Sequence, residues 1–395
     1  MRGRTVKRVW QHDPTLYAPP RYRRACEYEA FVPDPLAGLA IQVPGDLATV
    51  ISEAEASIAR LNAHAEPALQ PLARLLLRTE SIASSKVEGM QVDARSLARA
   101  EAAHDGGRSI GPEAREILAN IDAMQLAIER AAAADRTSTE DLLDIHRLLM
   151  QQAPNNQVAG RLRDKQNWIG GNDYNPCGAA YVPPPPEDVA QLLEDLVSFC
   201  DTVDLPPLMQ AAIAHAQFET IHPFDDGNGR TGRALIHILL HRRDLAPSFV
   251  PPISVVFARD KDRYIRGLVA FRENGLDAWL EIFGTAATEA AELAASYIER
   301  VQDLQDRWRE QLRAGKPPRA DAAAWPIIDA LPATPYVTVA VAVAITGRTR
   351  PAVNDAFEQL EKAGVLVPLS QAARNRAWEP SGLMDLIVGL ESGRL

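Results

Sequence analysis

Cysteine is scarce in this chain: Cys26, Cys177 and Cys200 are all it has. An odd number at wide spacing suggests neither a disulfide framework nor a zinc site, and the usage fits a reducing cytoplasm. Long apolar runs are missing as well. No stretch reaches the ~18 residues that a membrane span needs. Arg2, Arg4, Lys7 and Arg8 have no apolar run behind them, so no secretory signal is expected. Nor is there a surplus of positive charge: 42 Lys and Arg against 52 Asp and Glu give −10. The chain therefore has no overall attraction for nucleic acid or an anionic membrane, and any phosphate site must be a local arrangement. What is present is ordinary for a globular protein: 46% hydrophobic and 24% charged residues exclude global disorder, and 395 residues suggest two or three domains. A soluble, intracellular protein is expected.

Residues 1–45 mix proline, aromatics and charge without a helical period and read as an irregular arm that wraps a surface, or as partly disordered. Helical spacing then takes over. Leu47, Val50, Ile51, Ala54 and Ile58 mark one apolar stripe. Leu72, Leu75, Leu76, Ile82 and Ala83 mark a second helix, from about Ala68, that should stop at Gly89. Further helices are expected over about 112–134, 138–151, 187–203, 206–219, 230–242 and 261–313. The pattern breaks at 160–186. There Trp168-Ile169 and Ala180-Tyr181-Val182 read as two short strands around a Gly170-Gly171-Asn172-Asp173 turn, before the stiff run Pro183 to Pro186. Gly315-Lys316-Pro317-Pro318 is a linker signal. Beyond it, helices near Trp325, Val339 and Pro351 and two strands, 365–369 and 376–378 across a 370–375 turn, follow a winged-helix plan. The fold class expected is mainly α, with a helical N-terminal region (1–110), a helical core with a short β-hairpin (111–300), a linker (301–318) and a winged helix (319–395).

The chemistry is concentrated in His222-Pro223-Phe224-Asp225-Asp226-Gly227-Asn228-Gly229-Arg230-Thr231-Gly232-Arg233. Pro223 must end the helix before it. A glycine-containing loop feeding a new helix exposes unpaired N–H groups at the positive end of the dipole, which makes an anion site suited to a phosphate chain. Arg230 and Arg233 fall three apart on one face, and each guanidinium can grip phosphate with two parallel bonds. Asp226 in so positive a loop repels phosphate unless a cation bridges them, so it reads as a magnesium ligand. His222 has the side chain whose reference pKa suits a general base near neutral pH. Taken singly, each feature has a bland explanation: a helix-end histidine, a Gly-Asn-Gly turn, two solvated arginines. Their convergence in twelve residues carries the argument.

That segment resembles the signature of the Fic family, His-x-Phe-x-Asp/Glu-Gly-Asn-Gly-Arg-x-x-Arg, and fills every specified position. Gly160-Arg161-Leu162-Arg163 followed by Trp168-Ile169-Gly170 resembles the family's flap hairpin, and residues 264–279 its closing helices. The resemblance covers about residues 30–395, including a bacterial arrangement with a C-terminal winged helix. It implies a protein adenylyltransferase moving AMP from ATP to a target hydroxyl. His222 would be the base, and Phe224 a buried anchor. Gly227, Asn228 and Gly229 would form the anion hole, Asp226 would hold Mg2+, and Arg230 and Arg233 the outer phosphates. Trp168, Ile169 and Tyr181 would clamp the target by strand addition.

The stretch Ser84-Ser85-Lys86-Val87-Glu88-Gly89 has a plain reading as a helix end with a solvated glutamate. It also resembles the family's inhibitory helix, Ser/Thr-x-x-x-Glu-Gly/Asn, which implies Glu88 pairing with Arg233 and Ser84 bonding the loop. Several alternatives stay open. The same scaffold serves for AMP removal or for transfer of another phosphate-containing group; the base is unread, with Tyr264 a candidate reader. The target protein is unidentified and self-modification is one option. DNA binding by the winged helix is the competing function: Arg348, Arg350, Arg374 and Arg376 favour it, yet residues 319–395 hold seven Lys and Arg against eight Asp and Glu. Packing or homodimer contact suits that balance better.

Overall fold

The computed structural model describes all residues except 1–2, 16, 40, 64–69, 92, 106–108, 134–135, 316 and 370–375. Among the described residues, fifteen α-helices and two small antiparallel sheets make up most of the regular structure. The expected start near Ala68, the wing turn at 370–375 with Arg374, and Lys316 lie outside the described residues. The chain divides into two compact units, one formed by Met1–Glu55, Ala123–Leu245 and Lys261–Thr285, the other by Ala56–Asp122, Ala246–Asp260 and Ala286–Leu395.

The first unit is built around the helix Pro207–Ile221. Proline opens it, where a missing N–H costs nothing, and every residue from Leu208 to Ile221 is buried. A helix apolar or small all round belongs inside a layer of neighbours. Those neighbours include Asn228–Arg242, Pro186–Cys200 and the start of Leu276–Ala314, whose Trp279 donates its indole N–H to the Ala212 carbonyl at 2.9 Å. A Cβ on Gly232 would lie 2.9 Å from Phe218 and 3.0 Å from a Glu219 oxygen, so glycine there lets two backbones approach.

The N-terminal segment corrects the expectation of an irregular arm. Gly3–Trp10 and Cys26–Pro33 pair antiparallel over eight residues, with Gly3 opposite Pro33 and Trp10 opposite Cys26. Six of the first strand's eight residues are exposed and only Val6 and Trp10 are half-buried, so no apolar alternation advertised it. Cys26 and Cys177 form a disulfide with Cα atoms 6.3 Å apart, against the expectation of no disulfide. Their separation of 151 residues hides the pairing, which only the fold brings about. Around it Trp10 meets Trp168 edge-on at 5.5 Å, Tyr22 stacks on Tyr174 at 5.1 Å, and the Phe31 N–H bonds the Val182 carbonyl at 2.9 Å. The expected two-stranded flap is a single antiparallel bridge, Ile169 to Tyr181, with bonds of 2.8 and 3.1 Å. Gly170 and Gly171, both at positive φ, and an Asn172 side chain turned onto the Tyr174 and Asn175 amides bend the chain away beyond it.

In the second unit, helix Gln70–Val87 lies against Ile253–Arg259. Buried Glu80 accepts from the Ser254 amide at 2.8 Å and from its hydroxyl, satisfying free donors at that helix start. Asn120 donates to the Ser81 carbonyl (2.6 Å) and the Ser85 hydroxyl (3.0 Å). Residues 301–314 are helical, as the helix expected to 313 requires, and Val301, Leu304, Trp308 and Leu312 form its buried stripe. Helices Ala324–Ala330, Val339–Thr346 and Arg350–Lys362 follow, with a sheet ordered 337–338, 377–380, 366–368. A further helix, Leu383–Glu391, had no counterpart in the sequence reading; its Glu391 pairs with Lys86 at 2.6 Å.

Candidate active site

Helix Pro207–Ile221 ends because Pro223 has no N–H to continue it. The residue that turns the chain is His222 itself, in the left-handed region at φ 50°, with its N–H still bonded to the Phe218 carbonyl at 2.8 Å. A non-glycine residue there stores about 1–3 kcal/mol and persists only where its surroundings hold it. His222 is half-buried, with Nδ1 3.9 Å from a Glu219 oxygen. The next helix starts at Asn228, two residues before the expected Arg230, with Gly227 as its cap at φ 76°. A side chain at Gly227 would clash with the Met150 sulfur, 2.9 Å from its Cβ position.

The loop between the two helices is fixed from inside. Phe224 is fully buried. The Asn228 side chain closes a ring about it, accepting from the Phe224 N–H at 2.9 Å and donating to its carbonyl at 2.8 Å. Asp226 points outward, with one carboxylate oxygen on the Gly227 amide (2.6 Å) and the other on the Asn155 side chain (3.0 Å). A carboxylate has about four lone-pair sites, so both oxygens keep capacity for a further ligand. The amides of Asn228, Gly229 and Arg230 lie in the first turn of the helix, at the positive end of its dipole.

Arg230 and Arg233 are 2% and 1% exposed, which decides against a solvated face. Two buried guanidiniums beside a helix N-terminus concentrate positive charge in a low dielectric. The arrangement can hold a polyanion against the loop, with an imidazole at its entrance able to take a proton.

Two residues absent from the sequence reading, His146 and Asn167, and one named there only as part of the flap, Arg163, complete the support. His146, buried, receives the Gly160 N–H at Nδ1 (3.0 Å), which fixes its tautomer, so Nε2 donates to the Asp226 carbonyl at 2.9 Å. Burial above all, with the Arg230 charge beside it, holds its imidazole pKa down at about 4. Arg163 and Asn167 reach the His222 carbonyl from the flap side. The only sequence signal for His146 was its place on the apolar stripe with Leu142, Ile145 and Leu149.

Of the flap residues, Ile169 is exposed, whereas Tyr181 bonds the Thr220 carbonyl (2.6 Å) beneath the Arg272 guanidinium (3.9 Å) and Trp168 bonds the Asn172 carbonyl (2.6 Å). Ser84, Glu88 and Gly89 belong to the second unit. Helix Gln70–Val87 ends one residue before Glu88, with Gly89 at φ 93° and Ser84 buried.

The comparisons fit this geometry. Residues 136–240 match the Fic/DOC family and residues 48–129 the Fic/DOC family N-terminal region. Protein adenylyltransferase fic-1 of Caenorhabditis elegans is 34% identical over 120 residues, 30% of this chain and 22% of that one. Protein adenylyltransferase Fic of Drosophila yakuba is 32% identical over 213 residues, 53% of this chain and 39% of that one. The match thus spans well under half the length of these relatives. The solved structure of a Fic family protein from Desulfovibrio desulfuricans G20 shares the fold, with TM-score 0.54 and 22% identity over 87% of this chain and 98% of that one. Fic-1 (aa134–508) from C. elegans does so with TM-score 0.51 and 20% identity, over 65% and 73%. The matched regions take in both the signature loop and the helices that carry it, so residues 48–129 and 136–240 are similar to the Fic/DOC family over the part of the chain that holds the site.

Proposed function

We propose that the chain is a protein adenylyltransferase, and the observation that carries this is the complete signature loop with both of its arginines buried at a helix N-terminus. His222 takes the proton of a target hydroxyl. Its oxygen forms a bond to the α-phosphorus of ATP, the bond from that phosphorus to the α–β bridging oxygen breaks, and pyrophosphate leaves. The amides at Gly227, Asn228 and Gly229 stabilise charge growing on the α-phosphate, and Arg230 and Arg233 hold the outer phosphates. Asp226, outward-facing and with lone pairs to spare, suits Mg2+, an ion held by one or two carboxylates plus substrate phosphates. Bound there, the metal would neutralise phosphate charge. The relatives' name, protein adenylyltransferase, supports the donor and the transferred group.

The exposed Ile169 arm takes the target peptide, while Trp168 and Tyr181, both bonded to backbone, brace it. Glu88 acts as a brake by pairing with Arg233 in place of the γ-phosphate, aided by Ser84 and by the turn at Gly89. The support for that assignment is the stretch Ser84-Ser85-Lys86-Val87-Glu88-Gly89, which resembles the family's inhibitory helix. At an effective dielectric near 20 such a pair attracts by roughly 4 kcal/mol before desolvation. The core is taken as 111–300 and the C-terminal module, from 319, as a winged helix in packing or homodimer contact, supported by its near-neutral charge. We place the activity in the cytoplasm, where ATP is available; no described helix is long and apolar enough to cross a membrane, while the Cys26–Cys177 disulfide weighs against that compartment.

The test is incubation of wild type, Glu88→Gly and His222→Ala with Mg2+, lysate proteins and ATP labelled at the α- or γ-phosphate. Label kept on protein from the α position alone, strongest in Glu88→Gly and lost in His222→Ala, supports the reading. Retention from the γ position alone makes the chain a kinase. No label from either turns the assignment to AMP removal or another donor.

A further inference from the structure

The Thr220 and Ile221 carbonyls end helix Pro207–Ile221, where the chain supplies no next turn to bond them, and those of His222, Pro223 and Phe224 follow in the loop. Here they are met one after another by groups from a single neighbouring segment. The Tyr181 hydroxyl donates to Thr220 at 2.6 Å. The Arg163 guanidinium donates to Ile221 at 3.4 Å and, through Nε, to His222 at 2.8 Å. The Arg163 backbone N–H donates to Pro223 at 3.0 Å. The Asn167 amide group donates to His222 at 3.4 Å and Phe224 at 2.9 Å.

Arg163 is 3% exposed, and among the described residues its side chain hydrogen-bonds only carbonyls, Pro184 (2.6 Å) and Lys165 (3.2 Å) being the other two. Burying a guanidinium on neutral acceptors is costly, and an ordinary helix cap needs only one or two such bonds. The shortest of its bonds into this stretch goes to the carbonyl of the one residue in the turn with a strained backbone, His222 at φ 50°. Left-handed backbone without glycine is kept only where contacts over-determine it. Arg163 and Asn167 supply those contacts, and they leave the imidazole side of the residue untouched.

We infer that Arg163 and Asn167 are positioning residues: they hold the His222 peptide in its left-handed turn and so fix where the imidazole stands above the anion loop. This rests on His222 being the base. A base displaced by about 1 Å loses on the order of 10²-fold in rate, whereas ATP is gripped further along, at 227–233, and its binding is unaffected. Lysine at 163 keeps the charge and loses the fork, so it does not substitute.

The experiment uses full-length Arg163→Lys and Asn167→Ala, each with Glu88→Gly to release the brake. It measures kcat, the Kd for ATP by calorimetry, and the His222 imidazole signal in a proton–carbon NMR spectrum, identified among the eight histidines by its loss in His222→Ala. Expected for Arg163→Lys are a kcat at least tenfold lower, an ATP Kd within twofold, and a displaced His222 signal. Asn167→Ala should show the same pattern to a smaller degree. An unmoved His222 signal, or losses of kcat and ATP affinity in parallel, would overturn the inference. Should Arg163→Lys not fold, Asn167→Ala decides by the same criteria. If neither wild type nor Glu88→Gly transfers nucleotide, AMP transfer fails as a reading, and the His222 signal decides this inference alone.

Discussion

The Phe224 ring lies flat on the His146 imidazole, with centroids 3.7 Å apart and planes 3° from parallel. Because the same imidazole bonds the Asp226 carbonyl, one residue of helix Thr139–Met150 grips the loop both by its ring face and by its edge. Phe224→Ala removes the ring from a fully buried site and should cost about 3–5 kcal/mol. Urea denaturation with unchanged slope measures it. A midpoint equal to that of wild type would mean that the Asn228 ring of bonds suffices to hold the loop.

His222→Ala should lower AMP transfer by about 10²–10⁴-fold and leave the calorimetric ATP affinity within twofold. Arg233→Ala, by contrast, should weaken ATP binding at least tenfold. Equal effects of the two variants on binding would contradict the division of labour between base and anion site.

Glu88→Gly should raise transfer at least tenfold and strengthen ATP binding, since relief of even half the pair's attraction exceeds the ~1.4 kcal/mol of one decade. Initial rates with α-labelled ATP provide the check. An unchanged rate in a folded variant removes the brake.

Much of this was legible in advance, for definite reasons. The signature loop announced itself because phosphate chemistry needs glycine, a base, a carboxylate and two arginines close together in the chain. The helices announced themselves through three- and four-residue spacing, as at Leu47, Val50, Ile51, Ala54 and Ile58. What stayed hidden depends on long-range contact. Gly3–Trp10 is exposed except at half-buried Val6 and Trp10 and shows no apolar alternation. Cys26 finds Cys177 only after 151 residues. His146 looks like any core residue, and Arg163 and Asn167 matter through carbonyls, which every residue has and no sequence distinguishes.

Glu55 offers a pH test of the scaffold. It accepts from the Leu208 amide at 2.9 Å, and burial raises its pKa above the usual carboxylate value, partly offset by that bond and by Arg243. The folded state therefore holds the proton more tightly than the unfolded one. Its contribution to stability is greatest below the unfolded value and declines as pH rises through the folded one. Glu55→Gln, which keeps an acceptor, should flatten that decline. Midpoints from pH 4.5 to 8 are to be compared, and identical pH slopes would exclude Glu55 as the source.

The bond from Phe31 to Val182 makes the flap lopsided. The 181–182 arm is already occupied on both sides, by Ile169 on one and by the N-terminal hairpin on the other. A polypeptide joining as an extra strand has only the outer border of the Ile169 arm to run along. An incoming target could then enter from a single side, and the fold would have chosen that side before any side chain is read.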